Sequence, residues 1–68
     1  MKKAKQVRRH TENRMIRAHI RFAQRNGAEL YNLGAGMDRF GIFSKTSLGG
    51  IESNWNPKRK QYDHRFLD

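Results

Sequence analysis

Between Asn13 and Asn26 two side-chain patterns of opposite character share one segment. At about 100° per residue, Met15, His19, Phe22 and Ala23 fall on one face, with Ile16 and Ile20 along its margin. Arg14, Arg17, Arg21 and Arg25 recur at i, i+3, i+7 and i+11 and form the opposite stripe. An α-helix separates these two sets, and its apolar face must then be covered by the rest of the chain. Thr11 is placed to cap such a helix, Glu12 sits where the helix dipole favours an anion, and Asn26-Gly27 supplies a stop.

Little chain remains to cover that face. Glu29 to Leu33 and Met37 to Phe43 are short, partly aromatic segments separated by Gly34-Ala35-Gly36, a pattern that predicts an antiparallel hairpin. In its second strand Phe40 and Ile42 would face one side, and Arg39, Gly41 and Phe43 the other. A two-stranded hairpin is marginal alone and must pack on the helix. Ser44 to Asn54 reads as a loop punctuated by Gly49-Gly50 and tethered by Leu48 and Ile51, with a third short strand an option near Gly50 to Trp55. Asn56-Pro57 reads as an N-cap and a first helical proline, predicting a short helix from Pro57 to about Phe66 with Tyr62 and Phe66 one turn apart.

The expected class is therefore α+β. One amphipathic N-terminal helix packs on a small antiparallel hairpin or sheet, followed by a short C-terminal helix. Residues 1–10 hold only Ala4 and Val7 as apolar side chains, which predicts a basic, disordered tail. Residues 11–68 then form a single small domain.

At 68 residues and 35% hydrophobic, the chain can build one thin core and has little to spare for a deep, water-excluding active site. It contains no cysteine, so disulfides and cysteine-based zinc sites are excluded. No apolar run approaches a membrane span. Lys2, Lys3 and Lys5 are followed by Arg8, Arg9 and His10 rather than by an apolar stretch, so a secretory signal is not supported. A cytoplasmic protein without membrane association is expected.

Charge is the informative quantity. The chain carries +9 overall, but residues 1–25 hold nine basic side chains against Glu12 alone. Residues 26–54 are close to neutral, and residues 55–68 are again basic through Lys58, Arg59, Lys60 and Arg65. A clustered field of one sign concentrates and steers polyanions. Arg presents a planar fork to phosphate oxygens, and successive helical turns repeat it about every 5 Å. An ordinary solvated face would intersperse acids at i, i+4, and this stripe has almost none.

The sequence thus points to a small nucleic-acid-binding protein, for DNA or RNA, that contacts backbone phosphates with low sequence specificity. Arg14, Arg17, Arg21 and Arg25 are the main candidates, helped by Lys2, Lys3, Lys5, Arg8 and Arg9, with Lys58, Arg59 and Lys60 as a second contact. Two alternatives use the same cations. One is a small regulator or inhibitor docking on an acidic surface of a nucleic-acid enzyme, with Trp55, Tyr62 and Phe66 as anchors. The other is a component of a ribonucleoprotein particle such as the ribosome.

Signals for catalysis or cofactors are weak. Gly34-Ala35-Gly36 begins like a dinucleotide fingerprint, but Arg39 occupies the third glycine position and the βαβ unit is missing. Ser44-Lys45-Thr46 ends like a phosphate-binding loop without the required glycine. Arg39 to Phe43 has the aromatic pattern of an RNA-recognition strand, yet the chain is too short for that fold. Tyr31 or Phe43 would stack on a base if exposed, although a domain this small needs its aromatics inside. His10, His19 and His64 match no metal-ligand spacing. His19, on the apolar face, is expected to be a hydrogen-bonded core residue, and His64 to be incidental. The six acids form no evident acid–base pair. No catalytic residue, cofactor or metal is expected.

Overall fold

A single long helix, α1 (Lys2–Arg25), precedes four strands: β1 (Leu30–Met37), β2 (Gly41–Thr46), β3 (Gly49–Asn56) and β4 (Gln61–Leu67). The computed structural model describes Lys2 to Leu67, and side chains from Asn13 onward except that of Ala35. The strands form one antiparallel meander in the order β1-β2-β3-β4, and α1 packs across one face of β2, β3 and β4.

The helix begins at Lys2, not Thr11. Its first turns occupy the segment expected to be a tail, and Thr11 is an interior residue rather than a cap. No Pro or Gly interrupts residues 2–25, and Lys, Arg, Gln and Ala all favour helix. The C-terminal stop is as expected. Gly27 takes a positive φ of 67°, Ala28 N–H donates to Ala23 O (2.9 Å) and Gly27 N–H to Gln24 O (3.2 Å). This is a Schellman cap, closed by contact between buried Ala23 and Ala28.

The sheet exceeds the expected hairpin. Gly34-Ala35-Gly36 lies inside β1 instead of turning the chain. The β1–β2 register shifts between Leu30 and Asn32 and again between Asn32 and Gly36, as extra residues in one strand produce. The turn falls at Asp38-Arg39-Phe40, where Asp38 Oδ1 accepts from Phe40 N–H and Gly41 N–H, both at 2.8 Å. Phe40 is therefore a turn residue, while Ile42 and Phe43 do face opposite sides. The segment expected as a loop is mostly strand: Thr46 pairs with Gly49 across Ser47-Leu48, and β3 runs on to Asn56.

The C-terminal helix is replaced by β4. Asn56 Oδ1 does cap the following turn, accepting from Lys58 N–H (3.0 Å) and Arg59 N–H (3.2 Å). The helix is not propagated because Lys60 adopts a left-handed φ of 53°, which reverses the chain into β4. Tyr62, His64 and Phe66 then alternate onto the helix-facing side, opposite Trp55, Ser53 and Ile51 of β3.

The core is thin and polar at its centre. Met15, Ala23, Ala28, Ile42 and Ile51 are its buried apolar residues, with Phe22 and Leu30 packed alongside. Between them lie His19, Ser44 and Ser53, each fully buried. His19 Nε2 is 2.7 Å from Ser44 Oγ and its Nδ1 is 2.7 Å from Ser53 Oγ. Ser53 Oγ is 2.6 Å from His64 Nδ1, and Gly34 N–H donates to Ser44 Oγ at 3.0 Å. One proton arrangement uses both hydroxyl hydrogens. Ser44 donates to His19 Nε2, His19 Nδ1–H donates to Ser53, and Ser53 donates to His64 Nδ1. The bulged backbone of β1 thus joins the network through Gly34. On the opposite sheet face Phe43 lies over Gly50, where an added Cβ would come within 2.7 Å of the ring.

Phe22 is half-buried, stacked on His64 with ring centroids 4.7 Å apart and tilted against Phe66 at 5.4 Å. Phe22→Ala should cost about 2–3 kcal/mol in denaturant unfolding, less than a fully enclosed ring; unchanged stability would contradict this packing. Burial, then the neighbouring His64, holds the His19 imidazole below its ordinary value. His64 is lowered by burial and by Arg25, with Asp63 opposing. The unfolded chain therefore takes up protons first as pH falls, so stability is greatest above about pH 6.5 and declines through the folded-state values below it. Urea midpoints from pH 7.5 to 5 should show this decline, and His19→Gln should flatten it. A midpoint that is constant or rises on acidification would refute the assignment.

Candidate nucleic-acid interface

Docking by His19 fixes which part of α1 meets which part of the sheet. His19 lies level with Ser53 and His64, and Phe22 and Ala23 lie towards Ile51 and Phe66. Five residues before His19, about one and a half helical turns, Arg14 reaches the other end of the sheet, where Trp55 and Tyr62 are cross-strand partners. Their rings meet edge to face at 5.1 Å. The β1–β2 turn is held at this same end, because Trp55 N–H donates to Phe40 O at 2.8 Å.

A cleft of about 320 Å³ follows from this placement. Arg14, Arg17 and Arg21 form its helical wall, Lys60 overhangs it from the β3–β4 turn, and Trp55 and Tyr62 also line it. A smaller cleft of about 210 Å³ shares Arg14, Trp55 and Tyr62 and adds Arg39 and Phe40. The arginine stripe therefore does not simply face away from the sheet. Its long side chains turn along the flank of the helix and border a concave, aromatic surface.

The expected site residues separate into groups. Arg14, Arg17, Arg21 and Lys60 are brought together, although Lys60 lies 39 positions beyond Arg21 in the chain. Arg25 is at the far end of α1, near enough to His64 to disfavour its protonation. Lys58 and Arg59 are exposed in the turn beside Lys60. Arg59 reaches Asp63 at 4.0 Å across an exposed pair. Hydrogen bonds from Asn56 and Gln61 chiefly hold the Asp63 carboxyl below its ordinary value, and Arg59 adds to them. Lys2, Lys3, Lys5, Arg8 and Arg9 belong to the helical turns preceding Arg14, and their side chains lie outside the described residues.

Among the described residues, the ion pairs are Arg59–Asp63 and Arg65–Glu52. No described acid pairs with Arg14, Arg17, Arg21 or Lys60. Four side chains of like charge around one concavity repel each other and raise its affinity for an anion. Arg39, Phe40, Trp55 and Tyr62 complete the surface and were not sequence candidates for phosphate contact. Trp55 and Tyr62 meet through β3–β4 pairing, Arg39 and Phe40 arrive on the β1–β2 turn held to Trp55, and Tyr62 was expected on a helix.

The structure also bears on the histidines. His19 is the hydrogen-bonded core residue that its helix position predicts. His64 is not incidental: it belongs to β4 and ends the same network. Ser44 and Ser53 contact imidazoles, but both are fully buried and neither lines the clefts described here. This disposition ties the helix to the sheet. Among the described residues no group of three His, Cys, Asp or Glu side chains is placed to hold a metal, and no helix is long and apolar enough to cross a membrane. The chain matches no protein-family model, and no curated protein or solved structure matches it either.

Proposed function

We propose that the protein binds nucleic acid through its backbone phosphates, with low sequence specificity, using the basic cleft between α1 and the β3–β4 hairpin. The observation that carries this reading is the convergence of Arg14, Arg17, Arg21 and Lys60 on one concave surface, with no described acid paired to them. Steps of three and four residues along α1 space the guanidinium groups by about 4.5 and 6 Å of helical rise. That ladder presents donors to consecutive phosphates, and Lys60 approaches from the other wall. Lys2, Lys3, Lys5, Arg8 and Arg9 would continue the cationic track along the preceding turns, with Lys58 and Arg59 beside Lys60. Such contacts fix the strand's position without reading its bases.

Phosphate contact releases condensed counterions, so affinity should fall steeply with salt. Replacing Arg17 and Arg21 together by Gln removes two charges and preserves helix propensity. The slope of log K against log salt should shrink by about 1.4 on a single strand and about 1.8 on a duplex, with similar weakening for unrelated sequences. An unchanged slope, with circular dichroism showing the helix intact, would remove the stripe from the interface. Absence of binding by the parent protein even at low salt would overturn the proposal. Binding instead to an acidic protein, competed by salt but not by oligonucleotides, would establish the regulatory alternative.

A further inference from the structure

We infer that the smaller cleft, lined by Arg14, Arg39, Phe40, Trp55 and Tyr62, receives an unpaired nucleobase, so that the protein's target is single-stranded nucleic acid. The inference rests on the phosphate-binding reading of the adjoining cleft and specifies the class of strand bound there.

Three observations lead to it. The first is composition. Three aromatic rings and two guanidinium groups converge on a space of about 210 Å³. That is below the size of typical drug-sized ligand pockets, on the order of 300–1,000 Å³, and suits one planar group. Aromatic faces and Arg planes are the surfaces on which bases stack without regard to sequence.

The second is exposure. Phe40 is 62% exposed at the tip of the β1–β2 turn, held beside Trp55 by its backbone carbonyl rather than by burial of its ring. Exposed aromatic rings occur singly on many proteins. This one borders a concavity whose other walls are Trp55, Tyr62 and two arginines. The edge-to-face packing of Trp55 on Tyr62 limits rotation of both rings, which lowers the ordering cost of presenting them.

The third is adjacency. The base-sized cleft and the cationic cleft share Arg14, Trp55 and Tyr62. A nucleotide lying across that boundary would put its phosphate among Arg14, Arg17 and Lys60 and its base against Tyr62, Trp55 and Phe40. A duplex can satisfy only the first half of this arrangement, because its bases are stacked and paired inside the helix. Entry would require unpairing and unstacking a nucleotide and flipping it out of the helix. An unpaired strand pays no such penalty.

Trp55 is the only tryptophan, so its fluorescence reports on the cleft directly. The full chain should be titrated at moderate salt with three ligands of equal charge. These are a thymidine oligomer, an abasic oligomer with the same sugar-phosphate backbone, and a duplex carrying the same number of phosphates. The thymidine oligomer should quench Trp55 and bind about tenfold or more tighter than the abasic strand, as expected for stacking of one base. The duplex should bind without comparable quenching. Phe40→Ala, at an exposed turn position, should lower thymidine binding several-fold and leave abasic binding unchanged. Equal affinity for thymidine and abasic strands, or tighter binding of the duplex, would overturn the inference while leaving the phosphate reading intact. Failure of all three ligands to bind at low salt would overturn both.

Discussion

The imidazole of His19 is the tie on which the rest of the arrangement depends. The apolar core is small, and apolar contacts from Met15, Ala23 and half-buried Phe22 are non-directional, so by themselves they leave the helix free to slide or rotate on the sheet. Two hydrogen bonds of 2.7 Å, to Ser44 on β2 and Ser53 on β3, remove that freedom by fixing both height and azimuth. Directional bonds in a buried site give position as well as stability, because any alternative docking leaves polar atoms without partners. Among the described residues no buried side-chain polar atom lacks a partner. Gly34 and His64 extend the network to β1 and β4, so one connected set of bonds spans the helix and all four strands.

That docking determines where the charge goes. With His19 centred over β2 and β3, Arg14 is carried to the end of the sheet where both the β1–β2 and the β3–β4 turns lie. Arg17 and Arg21 then run along the flank of the hairpin. The apolar and basic stripes of α1 are thus two consequences of one helical phase: the first binds the sheet, and the second becomes the wall of a cleft. The outer face of the sheet is different in kind. There Arg65 donates to Glu52 at 2.8 Å and Phe43 covers Gly50, so positive charge on that side is partly neutralised and its main aromatic ring covers backbone.

Much of the helix was legible because its signals are local. The apolar face of Met15, His19 and Ala23, the Gly27 stop and a hydrogen-bonded role for His19 all follow from 3.6-residue periodicity and end chemistry. The start was not, because a basic segment without apolar anchors can be either helical or disordered, and Lys2 to His10 contains no breaker to decide. Gly34-Ala35-Gly36 reads as a turn in the sequence but is a bulged stretch of β1, since glycines mark bulges as well as turns and only the β2 partner distinguishes them. The C-terminal segment misled for a subtler reason. Asn56-Pro57 does begin a capped turn, but the outcome depends on the left-handed Lys60, a residue with no strong preference for that conformation. The alternation of Tyr62, His64 and Phe66 was the available signal for β4. The cations of α1 were visible as a stripe, whereas their meeting with Lys60, Arg39 and the aromatic rings is a product of tertiary pairing.

The most direct test of the account is to map the surface that a polyanion touches. In a nuclear magnetic resonance titration with a short oligonucleotide at low salt, shifts should concentrate on the Nε–H groups of Arg14, Arg17 and Arg21, the Trp55 indole N–H, and the amides of Phe40 and Lys60. Lys45, Glu52 and Arg65 on the outer face should stay close to their free positions. Shifts clustered on that outer face, with the Trp55 indole and the helix arginines unmoved, would contradict the assignment of the cleft as the binding surface.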